Sequence, residues 1–294
     1  MTTPRDVFAA LSDGISEGRF SELSALYAED TVVEHPQAVP RPTRLTGRAA
    51  VHERFTGTLA GMIRLKRKNV VVHETTDPEV IVAEYDYDAE SAETGKTDVT
   101  ANIQVLRIRD GLIVHSRDYH DYLRLAAIRD GVDQLPKAYE QAPPRELSPV
   151  TPERAGSVFE RLVFGVAGAR WDELPELYAE ETHVTHPFLP GSGVVRTRDE
   201  LREHFEAGKK LNPGFSVADL VTYRTTDPEV LIGEFAYQGE HAGRPVRIAN
   251  IFVLRIRDGL IVESRDYGDH LGIAGDTGGI PALAARLGAA RLGA

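Results

Sequence analysis

The sequence predicts an α+β protein made of two tandem domains, each with N-terminal helices packed on a strongly curved antiparallel sheet that encloses a pocket. Three observations carry this expectation. First, the 294-residue chain repeats itself. "VFAALSDGISEGRFSELSALYAEDTVVEHP" (7–36) aligns without gaps to "VFERLVFGVAGARWDELPELYAEETHVTHP" (158–187), and "NIQVLRIRDGLIVHSRDYHDYL" (102–123) to "NIFVLRIRDGLIVESRDYGDHL" (250–271). A period of about half the chain is a domain duplication rather than a solenoid. Second, helical spacing comes first in each copy and strand-like runs follow, the order of an α+β domain. Third, turn dipeptides separate the runs at short intervals, as in an antiparallel meander.

Val7, Phe8, Leu11 and Ile15 fall at helical spacing and predict the first helix. A second, short helix carries Leu23, Leu26 and Tyr27. "TVVEHP" (31–36) reads as a strand ended by proline, and 47–61 as a third helix. Four strand-like runs follow, at 67–75, 79–88, 97–109 and 112–121. Asp77-Pro78 and Thr94-Gly95 mark turns, and Asp110-Gly111 a tight hairpin turn that needs positive φ. The domains are then 1–132 and 152–275. A Pro-rich polar linker (133–151) joins them, and a tail (276–294) reads as a short amphipathic helix packed on a neighbour.

Composition removes whole classes of function. The net charge of −11 argues against a nucleic-acid surface, and the absence of cysteine excludes disulfides, thiolate nucleophiles and Cys-ligated zinc. The N-terminus lacks a basic start and an apolar run, and no 18-residue apolar stretch occurs. The expectation is a cytoplasmic protein without a membrane partner. There is no GxGxxG, P-loop or HExxH, so neither a nucleotide cofactor nor a metal is expected.

Strand alternation sorts side chains onto two faces. Thr31, Val33 and His35 share one face; Thr182, Val184 and His186 repeat it, while the opposite face drifts. On the last strand Ser116 and Asp118 share a face, and position 115 opposite exchanges His for Glu263, as a solvated site would. Asp118 and Asp266 are therefore expected inward. Glu84, Asp86 and Asp88 are too acidic for a core, which turns Tyr85 and Tyr87 inward. The first pocket is then expected to hold His35, Asp118, Tyr85, Tyr87, Asn102 and Gln104. The second is expected to hold His186, Asp266, Phe235, Tyr237, Asn250 and Phe252, a more apolar set. The larger polar set favours the first copy as the active one. Glu84, Glu234, Arg107 and Arg255 are assigned to the surface or sheet edge. His52, His204, His241 and His270 lack a repeat partner and are assigned to solvent.

An inward carboxyl needs a partner, because burial alone raises its pKa or costs several kcal/mol. An imidazole across the same cavity makes a general acid–base pair, and Tyr87 or Tyr237 could donate to a developing oxyanion. Each of these residues also has an ordinary structural use, such as satisfying a backbone group.

"LYAEDTVVEHP…GRAAVHERF" followed by "VLRIRDGLIVHSRDYHDYL" resembles the SnoaL-like and ketosteroid-isomerase-like members of the nuclear transport factor 2-like superfamily. The resemblance covers both copies. It implies two cone-shaped domains, paired within the chain as a pseudo-dimer or with a second chain as a homodimer. Members include steroid isomerases, polyketide cyclases, epoxide hydrolases, dehydratases and non-enzymatic binders. In the isomerases an Asp-Pro carries the base; His35-Pro36 and His186-Pro187 stand there. Their oxyanion Tyr falls at Leu11 and Leu162, and their oxyanion Asp at Gln104 and Phe252. The "WRDYFD" segment of limonene-epoxide-hydrolase-like proteins resembles "SRDYHD" and "SRDYGD", which implies catalytic carboxylates at Asp118 and Asp266. The remaining Arg/Asp set of that hydrolase falls at Tyr85 and Tyr87. The expected function is a cofactor-independent acid–base enzyme (cyclase, isomerase, dehydratase or epoxide hydrolase) for a small apolar oxygenated, polyketide-like substrate. A non-catalytic ligand binder, or one active and one degenerate domain, is the alternative.

Overall fold

A computed structural model describes residues 2–209 and 214–292. The chain divides into two compact units, Met1–Ala138 and Tyr139–Ala294. Helix α1 (Pro4–Ser16) opens the first. Thr3 and Asp6 form a capping box at its start, and Val7, Phe8 and Leu11 are buried. The expected second helix is only a 3₁₀ turn, Leu23–Leu26, because Tyr27 already begins strand β1 (Tyr27–His35). A short strand β2 (Thr43–Thr46), not foreseen, precedes α2 (Arg48–Glu53), which widens into a π-helical turn over Arg54–Leu59.

Strands β3 (Ile63–Glu74), β4 (Val80–Ser91), β5 (Thr97–Arg109) and β6 (Leu112–His120) form the expected meander. At the β5–β6 hairpin Asp110 and Gly111 adopt φ of 51° and 77°, the two positive values of a type I′ turn. The repeated "TTDPEV" builds a turn closed by the Thr75 hydroxyl, which donates to the Asp77 and Val80 carbonyls. The sheet order is β2-β1-β6-β5-β4-β3. The sheet is mixed rather than purely antiparallel, because β1 pairs with β6 in parallel. The whole meander separates these two strands in sequence, so no hairpin constrains their direction. Helix α3 (Tyr122–Ile128) follows, its N-terminus capped by Asp121, which accepts from the Arg124 N–H. The second aspartate of "SRDYHD" is thus a helix cap.

Helix α4 (Leu135–Gln141) occupies part of the expected linker. The rest is ordered against the second unit: buried Arg145 pairs with Asp276 at 2.6 Å, and Val150 bridges to Ala218. Composition signals a linker but not these anchors. The second unit then repeats the first: α5 (Val158–Ala167), β7 (Tyr178–Thr185), β8 (Val195–Thr197), α6 (Arg198–Lys209), β9 (Ser216–Arg224), β10 (Val230–His241), β11 (Arg244–Arg257), β12 (Leu260–Gly268) and α7 (His270–Thr277). Its sheet order, β8-β7-β12-β11-β10-β9, matches that of the first unit. The tail forms α8 (Ile280–Leu292), which buries Ile280, Leu283 and Leu287; residues 293–294 lie outside the described residues.

Both sheets are strongly curved and neither closes. Each apolar core lies between the concave face and the N-terminal helix. One expectation fails on the other face. Glu84 and Glu234 are not at the surface but only 5 % and 2 % exposed. Each is held by a polar neighbour on the adjacent strand, His73 at 2.7 Å for Glu84 and the Tyr223 hydroxyl for Glu234. Alternation identified their face correctly, but acidity alone did not reveal that the face is covered.

Candidate active site

Strand register explains how distant residues meet. β5 and β6 pair Gln104 with Asp118 and Asn102 with His120, and β4 and β5 pair Tyr85 with Asn102. Paired residues project to the same face. The parallel pairing sets Val33 beside Ser116. One pleat further along both strands, His35 arrives beside Asp118. The second unit repeats each step: Val184 beside Ser264, Phe252 with Asp266, and Asn250 with Gly268. His35 Nε2 lies 3.8 Å from Asp118 Oδ2, and His186 Nε2 lies 3.8 Å from Asp266 Oδ2. All four groups are buried, between 6 % and 9 % exposed. At this separation neither pair is hydrogen-bonded.

His35, Asp118, Tyr85, Tyr87, Asn102 and Gln104 all line one cavity of about 130 Å³. His186, Asp266, Tyr237, Asn250 and Phe252 line another of about 570 Å³. Phe235 is the exception. It packs edge-on against Phe159, Tyr237 and Phe252 and backs the wall rather than facing the cavity. The Tyr237 hydroxyl donates to the Val163 carbonyl at 3.1 Å and is committed there, not to an oxyanion. The Tyr85 and Tyr87 hydroxyls engage each other.

The sequence reading missed several wall residues. Arg54 and His120 line the first cavity, and His204 and His270 the second. His204 and His270 are not solvated as expected, whereas His52 and His241 are exposed. Arg54 and His204 are counterparts, each at the same spacing beyond an arginine (Arg48, Arg198) that donates to the Tyr27 or Tyr178 carbonyl. His270 stands where the first copy has Tyr122. A Cβ at Gly268 would lie 3.3 Å from both His270 Nε2 and Asn250 Oδ1, so the His270 ring uses room that His120 fills in the first copy. This exchange, His120-x-Tyr122 for Gly268-x-His270, was visible in the aligned repeats. The His186 and His204 rings stack with centroids 4.7 Å apart, and His270 meets His186 at 6.3 Å.

The two cavities differ electrostatically. In the second, burial pushes the Asp266 carboxyl up to about 7, against the opposing pull of the Ser264 hydroxyl bond and Arg265. Burial drives His186 down to about 3, helped by His204, His270 and Arg286, and His270 down to about 4. Burial also lowers His204. All three rings are uncharged at neutral pH, beside a carboxyl group that both takes and gives protons there.

In the first cavity Asp118 Oδ1 accepts from the Gln104 amide at 2.8 Å and from the Ser116 hydroxyl. Phe252 removes the corresponding donor from Asp266. Burial lowers His35 against the pull of Asp118, and brings His120 to about 3. The local motifs gave no metal site. The fold nevertheless brings one ligand atom each of His35, Asp118 and His120 within 4.8 Å of one another, the only such group among the described residues.

The profile of the family described as SnoaL-like domain matches residues 8–116 and again 159–264. The uncharacterized protein YesE of Bacillus subtilis (strain 168) is 32% identical over 96 residues, covering 32% of this chain and 65% of that protein. The chain therefore spans just under two thirds of that relative's length. A solved structure from Bacillus subtilis, provisionally described as an isomerase, shares 26% identity over 43% of this chain and 92% of its own, with a TM-score of 0.41. Another, from Xanthomonas campestris pv. campestris and provisionally described as a polyketide cyclase, shares 21% identity over 42% and 93%, with a TM-score of 0.38.

Proposed function

The chain belongs to the SnoaL-like domain family, and from that premise we propose that its C-terminal cavity catalyses proton transfer, without a cofactor, on a small, mostly apolar, oxygenated substrate. The observation that carries this reading is the buried Asp266 carboxyl, poised near neutrality and facing uncharged imidazoles in a cavity of about 570 Å³. That volume lies within the range of about 300–1,000 Å³ usual for small-molecule sites. The first cavity, at about 130 Å³, is below it.

Isomerisation or cyclisation through an enolate suits these groups. Ionised Asp266 takes a proton from a carbon next to a carbonyl. The C–H electrons move onto the carbonyl oxygen, and a neutral imidazole N–H of His186 or His270 donates a hydrogen bond to that oxygen. Asp266 then returns the proton to another carbon, or the enolate carbon attacks a second carbonyl and the proton goes to the new alkoxide. The base is thus the carboxyl rather than the imidazole. A ring lowered to about 3 binds a proton too weakly to serve, whereas a base with a pKa near the working pH is effective. His270 supports the donor role, since its Nε2 is buried without a partner among the described residues.

The test uses 5-nitrobenzisoxazole, a small neutral probe whose ring opens when a base removes one proton. Turnover by the full chain should rise with pH around a midpoint near 7. Asp266→Asn should lower it by about 10²–10⁴-fold, the usual contribution of a positioned base. Turnover unchanged in Asp266→Asn would refute the assignment.

A further inference from the structure

We infer that the N-terminal cavity is a binding site for a divalent transition-metal ion with the ligand preferences of Zn²⁺, held by His35, His120 and Asp118. The two cavities descend from one repeat, yet among the described residues only the first brings two imidazoles and a carboxyl together in this way.

The surroundings orient two of the three ligands, His120 and Asp118. The Asn102 amide donates to the Thr100 carbonyl at 2.8 Å, which turns its Oδ1 toward His120 Nδ1, 2.7 Å away. That carbonyl oxygen needs a donor, so Nδ1 carries the proton and Nε2 presents a lone pair. An oxygen acceptor behind the imidazole is the usual support for a metal-binding histidine. Asp118 Oδ1 is occupied by the Gln104 amide and the Ser116 hydroxyl, which leaves Oδ2 facing His35 Nε2 at 3.8 Å. His35 Nδ1 and Gln104 Oε1 are buried without a partner among the described residues. Neutral imidazole is the coordinating form.

Two nitrogens and a carboxylate oxygen suit Zn²⁺ and its first-row neighbours, with at least one coordination position open. Ligand atoms around a tetrahedral ion stand about 3.3 Å apart at Zn–N distances of about 2.0–2.1 Å. The three side chains would therefore close by about 1 Å. Arg54 lines the same cavity and makes no ion pair among the described residues. Its charge opposes a bare dication and favours an ion that carries an anion on its open position. The second copy is a natural control. Gly268 removes the His120 ligand and His204 replaces Arg54.

This inference is independent of the chemistry proposed for the second cavity. The full chain, stripped with chelator, is titrated with Co²⁺ by visible absorption and with Zn²⁺ by calorimetry. One equivalent of each should bind, with the d–d bands of a low-symmetry nitrogen–oxygen site. His120→Gly, which copies the second unit, and Asp118→Asn should each weaken binding at least 100-fold. Asn102→Ala retains all three ligands and should weaken it about 10–100-fold, while Asp266→Asn should leave it unchanged. Circular dichroism verifies that each variant is folded. Absence of stoichiometric Co²⁺ uptake by the unaltered chain would overturn the assignment whatever the variants do, as would uptake that both His120→Gly and Asp118→Asn preserve.

Discussion

The two units share strand order, register and a 3.8 Å His–Asp separation, yet their cavities hold different chemistry. In the first, Gln104 donates to Asp118, His120 is oriented by Asn102, and Arg54 adds a cation. In the second, Phe252, Gly268 and His204 stand at those places, and the cavity is about four times larger. The lesson is that backbone register fixes where the central pair sits, while a few wall residues decide its proton affinity and the room beside it. The polar set that looks richer in sequence lines the smaller cavity, so the count of polar residues does not track the room available to a ligand.

The largest difference between the two cavities lies at Asp266. Its folded pKa of about 7 lies above the ordinary value of 3.8. The unfolded chain therefore loses this proton first, and the contribution of Asp266 to stability is fully present below about pH 4 and is lost as pH rises through 7. Asp266→Asn removes that loss. Relative to the unaltered chain, it should gain about 2–3 kcal/mol between pH 5 and pH 8, measured by urea unfolding. Equal gains at both pH values would contradict the burial of an ionisable group there.

Packing gives the next effect. A Cβ at Gly233 would fall 2.0 Å from the Phe159 ring, whereas Ala83 occupies the corresponding register position in the first unit. Gly233→Ala should destabilise the fold by about 1–3 kcal/mol through overpacking, and Ala83→Gly by about 0.5–1 kcal/mol. Thermal unfolding compares the two. Phe252→Gln then transplants the amide donor of the first cavity beside Asp266. A hydrogen bond to the carboxylate favours its charged form, so the pH–turnover midpoint should move about one unit toward acid. The smallest signal comes from the rings. With folded values of about 3 and 4, His186 and His270 should show one neutral state by NMR from pH 5 to 8. Stability should also fall as pH drops below about 6.5, because the unfolded chain binds those protons first.

Much of this was legible before any coordinates. Period-2 alternation placed His35, Asp118, His186 and Asp266 inward because each sits on a strand with one apolar face. Asp110-Gly111 marked its hairpin because few other dipeptides tolerate two positive φ values. Other features were hidden. The parallel β1–β6 pairing depends on a long-range contact with no local signature, yet it makes the His–Asp pair. His204 and Arg54 sit on a helix and a π-helical turn, where strand alternation says nothing. Glu84 and Glu234 read as solvated because charge suggests exposure, and their partners His73 and Tyr223 come from a neighbouring strand.

The chemistry of the second cavity turns on one proton, that of Asp266. Carbon-13 NMR of labelled aspartate side chains in the full chain, with Asp266→Asn to assign the resonance, follows that carboxyl directly through pH. A midpoint near 7 is the expected result. A midpoint below 5 would mean the group is fully ionised throughout the neutral range, and would contradict Asp266 as a base poised near neutrality.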